Sequence, residues 1–165
     1  MTNRTCTAAR ILIALALTAS AFAQTDAQKA FATIKNMPGT WEGKAPDGHT
    51  FQVTFRVVSG GSAVESEIQV PNEDMISMFH LDGNRLLMTH YCAAQNQPRM
   101  QASVSADGKT MTFNYVDATN LASPDAGHMQ KMVLTVLDDN HHTEEWTFVD
   151  HGKEHKETFD LRRKL

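Results

Sequence analysis

Apolar and polar residues alternate with a period of two along most of this chain. Residues 49–58 set Phe51, Val53, Phe55 and Val57 against Thr50, Gln52, Thr54 and Arg56. Residues 62–70 set Val64, Ser66, Ile68 and Val70 against Glu65, Glu67 and Gln69. Successive side chains of a strand point to opposite faces, so this pattern predicts strands with one buried and one polar face. The same reading predicts strands over 74–81, 85–92, 99–106, 109–117, 128–138, 142–149 and 153–162, and one around Trp41, ten in all. Only residues 26–36 (DAQKAFATIKN) carry a helical period. There Ala30, Phe31 and Ile34 share a face, and Pro38-Gly39 ends the element.

Turn chemistry separates the strands. Asp47-Gly48, Gly60-Gly61, Asp82-Gly83-Asn84, Asp107-Gly108, Asp139-Asn140 and His151-Gly152 supply left-handed backbone at low cost. Strands joined this tightly pair antiparallel. One connection, 117–127 with Pro124, is longer, and reads either as the rim of a site or as a plain surface loop. A meander of about ten strands leaves two open edges unless it closes. The expected fold is therefore all-β: a single antiparallel up-and-down barrel with a short N-terminal helix, wide enough for one small ligand.

The hairpin over 75–92 takes its register from its turn. With Gly83-Asn84 at the tip, Leu81 faces Leu86, Phe79 faces Met88, Ser77 faces His90 and Met75 faces Cys92. That face is greasy with two polar groups, the character of a ligand cavity. The opposite face holds Ile76, Met78, His80, Leu87, Thr89 and Tyr91. Alternation adds Phe51, Val53, Phe55, Val64, Ile68, Met100, Ala102, Val104, Met111, Phe113, Tyr115, Trp146 and Phe148 to the interior. Eight methionines remain after Met1, most on expected strands. Their thioethers suit either an adaptable lumen or a simply filled core.

The N-terminus changes the picture. Arg4 and Arg10, the apolar run 11–17 and Ala21-Phe22-Ala23 have the three-part form of a cleaved secretory leader spanning residues 1–23. Residues 24–165 are then one domain, periplasmic or secreted, with no stable membrane anchor after cleavage. Losing the two arginines takes the net charge from −4 to −6, which argues against a nucleic-acid partner. Arg162-Arg163-Lys164 is the one basic cluster and reads as a solvated tail. Cys6 leaves with the leader, so Cys92 has no internal disulfide partner.

Eight histidines are many for such a chain, but no HExxH or CxxC occurs, and His90 and Cys92 lie roughly 7 Å apart along one strand face, loose for one metal. His141, His142, His151 and His155 fall at or near turns. No GxSxG, P-loop or GxGxxG is present, and no catalytic residue is assigned. Glu65 and Glu67 read as surface charges. Arg99 reads as solvent-facing or as an anion holder on the rim.

Gly39-Thr40-Trp41-Glu42-Gly43 after a short helix resembles the opening of the calycin superfamily, which includes lipocalins, fatty-acid-binding proteins and nitrobindin-like heme proteins. The resemblance implies that Trp41 packs across the closed end. The stretch looks most like nitrobindins, whose heme iron is held by a histidine near the C-terminal strands; His155 is the nearest positional counterpart. The segments 79–86, 88–92 and 96–100 also resemble uncharacterised exported bacterial proteins with a lipocalin-like domain. The expected function is an exported binding protein holding a small hydrophobic molecule. Its expected ligand-lining residues are Trp41, Phe55, Ser77, Phe79, Met88, His90, Cys92, Met100, Phe113, Tyr115 and His128, with no required cofactor. The alternatives are a heme- or metal-binding barrel, or a solid barrel whose partner uses the outer face around Ile76, Met78 and Leu87.

Overall fold

The computed structural model describes residues 24–45, 48–70 and 73–165. The leader and Asp47 of the Asp47-Gly48 turn lie outside these residues. The helix α1 spans Asp26–Lys35. Ten strands follow: β1 (Gly39–Lys44), β2 (Thr50–Val58), β3 (Ala63–Val70), β4 (Glu73–Asp82), β5 (Arg85–Tyr91), β6 (Gln97–Val104), β7 (Thr110–Thr119), β8 (His128–Asp138), β9 (His141–Asp150) and β10 (Lys153–Arg163). Each pairs antiparallel with its sequence neighbour, and β10 returns to β1, so the sheet closes. The period-two reading located every strand, with ends shifted by one or two residues. The long connection is shorter than expected, because β7 continues to Thr119 before the chain turns.

The β4–β5 register matches the turn-based expectation: Leu81 faces Leu86, Phe79 faces Met88 and Ser77 faces His90. Gly83 at the tip has φ +58°, which a glycine adopts without strain. On the outer face, Glu65 and Glu67 both pair with Arg56, and Arg99 pairs with Asp117.

One end is closed by α1. Thr25 caps it, with Gln28 N donating to Thr25 Oγ1 at 3.3 Å and Thr25 N donating to Gln28 Oε1 at 2.9 Å. Its buried face of Ala27, Ala30, Phe31 and Ile34 packs against β4, β5 and β6. Burying a side chain the size of Phe31 or Ile34 contributes about 1.5–3 kcal/mol.

The basic C-terminal cluster is not a solvated tail. Arg163 pairs with Trp41 and Arg162 with Glu42 across the seam that closes the barrel. The Arg163 guanidinium lies 4.2 Å over the Trp41 ring and donates to Pro38 O at 2.7 Å. Lys164 Nζ pairs with Glu42 at 2.8 Å. A cation that covers an indole face and caps free carbonyls is held, whatever its charge suggests. Because β1 has 6 residues and β10 has 11, the seam is short. The stretch 153–158 of β10 is paired with β9 alone among the described residues, and its edge is exposed and dense in charge, which discourages pairing with other chains.

Candidate functional site

At the end away from α1, side chains diverge to form a cup of about 590 Å³. Phe51, Val70, Met75, Met129, Phe148 and Phe159 are its walls, with Cys92 beside them and Glu73, Glu157 and His49 as its polar members. Alternation produces this directly, since Phe51, Met75 and Phe159 are the mouthward residues of inward-facing rows. Two glycines make room for two of the rings. A Cβ on Gly43 would lie 2.6 Å from Phe51 Cζ, and one on Gly127 would lie 2.7 Å from Phe148 Cζ. Phe51 and Phe159 meet at 4.5 Å between centroids. A larger hollow of about 840 Å³ runs outside the barrel between α1 and the turns at Gly61 and Asn84; its lining includes Gln24, Gln28 and Lys35, the character of a surface groove.

The next residues inward on β4, β5 and β9 are Ser77, His90 and Trp146. Ser77 Oγ and His90 Nδ1 share a 2.9 Å hydrogen bond, and the His90 ring lies 4.8 Å from that of Trp146. His90 is fully buried and its Nε2 has no hydrogen-bond partner among the described residues. Burial pushes its pKa down to about 4. The imidazole is therefore neutral at physiological pH, and protonation in the folded state is opposed. The unfolded chain binds that proton more readily, so stability is full above about pH 6.5 and falls as pH drops toward 4. The loss approaches about 3 kcal/mol at the acid end. The double variant Ser77→Ala/His90→Phe should flatten this slope in thermal melts between pH 7.5 and 4.5; an unchanged slope would assign it to other groups.

Deeper still, Phe79, Met88, Met100 and Phe113 are packed without exposure, and the Phe79 and Phe113 rings meet edge-on at 5.4 Å. Phe55 lies near α1 with Trp41 and His142. The expected lining residues thus divide among levels. Cys92 is at the cup, Ser77 and His90 are two residues deeper than Met75 and Cys92, and Phe55, Phe79, Met88, Met100 and Phe113 fill the core. Trp41 closes the far end, its indole Nε1 donating to Met37 O at 3.0 Å. The Tyr115 and His128 rings meet at 4.7 Å, tilted by 44°, and His128 is further held by Ala126 O and Gln130 Oε1 at 2.8 and 3.0 Å. Burial raises the Cys92 thiol above its ordinary pKa, so it is a poor nucleophile.

Sequence reasoning missed a buried polar cluster on β9. His142 is fully buried, 3.4 Å from Glu144 Oε1, and Glu144 Oε2 accepts from Trp146 Nε1 at 3.0 Å. A signal existed. In register with Trp146, residues 142, 144 and 146 share one face, and only the neighbouring turn pointed the other way. Among the described residues, no group of three or more His, Cys, Asp or Glu side chains converges as a metal site.

No known family model matches the chain. None of the curated proteins compared with it matches either. Among solved structures, the chain is similar to Rv2717c from Mycobacterium tuberculosis, with 13% identity, a TM-score of 0.52, and coverage of 82% of this chain and 98% of that one. That likeness establishes a shared barrel architecture.

Proposed function

We propose that the protein is an exported carrier that holds a small hydrophobic molecule in the cup at the mouth of its barrel. The supporting observation is the cup itself, about 590 Å³ and walled mainly by apolar side chains. Pockets of a few hundred Å³ with greasy walls and a few polar groups are the usual form of small-molecule sites. The leader-like residues 1–23 support export, and the Gly39-Thr40-Trp41 opening supports a calycin-like carrier.

The nitrobindin-like reading has less behind it. His155 follows Glu157 outward on the inner-facing row of β10, but it is exposed and outside the cup lining. The charged cup residues Glu73 and Glu157 are anions, whereas heme propionates call for cations. A hemin titration that gives a Soret band lost on His155→Ala would replace the present reading.

The direct test is a neutral fluorescent probe, N-phenyl-1-naphthylamine, with native mass spectrometry of the purified protein. Saturable one-to-one binding is expected. Cys92→Trp, which adds bulk at the cup wall, should weaken it at least about tenfold. An unchanged affinity would move the site elsewhere.

A further inference from the structure

The charge in the cup is one-sided. Glu73 and Glu157 line it, and no Lys or Arg does among the described residues. Several carboxylates elsewhere on the barrel are matched by a cation: Glu42 by Lys164, Glu65 and Glu67 by Arg56, Asp82 by Arg85, Asp117 by Arg99. Glu73 and Glu157 have no ion-pair partner among the described residues.

Their placement is ordered. Glu157 is two residues mouthward of Phe159 on β10, and Glu73 is two residues mouthward of Met75 on β4. Side chains two apart on a strand share a face, so each carboxylate stands above an apolar wall. Beneath them are the rings of Phe51, Phe148 and Phe159. Aromatic faces attract cations through their quadrupole, and rings combined with carboxylates are the chemistry that recognises amines and quaternary ammonium groups. The Glu73 charge also reaches the cup wall, where it adds to the effect of burial in raising the Cys92 thiol. Of the other titratable groups, His49 is at the cup, while Lys153 and His155 continue the inner row of β10 outside its lining.

We propose that the cup selects a small apolar molecule carrying a positive charge, an amine or quaternary ammonium, over one carrying a carboxylate. This rests on the reading of the cup as a ligand site. The tail enters among the phenylalanines and the head stays at the rim between the two glutamates.

The experiment compares three competitors with one tail, decylamine, decanol and decanoate, displacing N-phenyl-1-naphthylamine at pH 8 and low salt. The amine is expected to bind about tenfold more tightly than the carboxylate, with the alcohol between, and the gap should narrow as salt rises. Glu73→Gln/Glu157→Gln should bring amine and carboxylate together and leave the alcohol unchanged. Equal affinities in the native protein, or a carboxylate that binds best, overturn the selectivity while the cup remains a binding site. Failure of the probe itself to bind overturns both the selectivity and the carrier reading.

Discussion

Replacing Trp41 by alanine is expected to destabilise the protein by about 4–5 kcal/mol, the top of the range for emptying a large aromatic site. The indole is 1% exposed and sits where β1, β10 and α1 meet. Three contacts go with it: the Nε1 bond to Met37 O, the edge-on His142 ring at 4.3 Å and the Arg163 guanidinium above its face. The seam has only two paired positions, and Trp41 is one of them, so the cavity falls where the sheet is least able to absorb it. Urea unfolding followed by Trp146 fluorescence measures the loss. Trp41→Phe keeps most of the buried area but strands the Met37 carbonyl, and about 1–3 kcal/mol is expected. A cost below about 1 kcal/mol for the alanine variant would show that Trp41 does not hold the seam.

Glu144→Ala should cost about 1–3 kcal/mol, because it leaves the buried Trp146 Nε1 donor without an acceptor. Glu144 is 2% exposed and His142 is fully buried. Removing the carboxylate deprives Trp146 Nε1 of its acceptor, while both His142 ring nitrogens already lack a hydrogen-bond partner among the described residues. Glu144→Gln retains an acceptor for the indole, so its penalty should be clearly smaller. Glu144→Leu/Trp146→Phe, which removes the acceptor and its donor together, should recover much of the stability, since replacing both partners of a buried hydrogen bond by apolar groups is often nearly neutral. If the double variant is as unstable as Glu144→Ala, the cost comes from shape and not from an unmatched polar group.

The strands and the β4–β5 register were legible in the sequence because they rest on local rules. Alternation places side chains on faces, and a two-residue turn sets which residues oppose one another. The Ser77–His90 contact followed from those rules alone. His142 was not legible, because a position beside a turn ordinarily meets water, and segments distant in sequence, the returning β10 and the Trp41 and Phe55 rings, cover it. Arg163 was misread for the same reason: its partner Pro38 lies 125 residues away in the chain.

The amino-acid sequence by itself determined ten strands, one helix, the antiparallel order and the greasy inner face. Tertiary structure decided which levels of that face are solid and which are hollow. Every inward residue carries the same period-two mark, whether it ends up in the packed middle, as Phe113 does, or at the cup, as Phe51 does. Where the rows diverge depends on strand tilt, on the unequal lengths of β1 and β10, and on which end α1 covers, and these are set by contacts between distant segments.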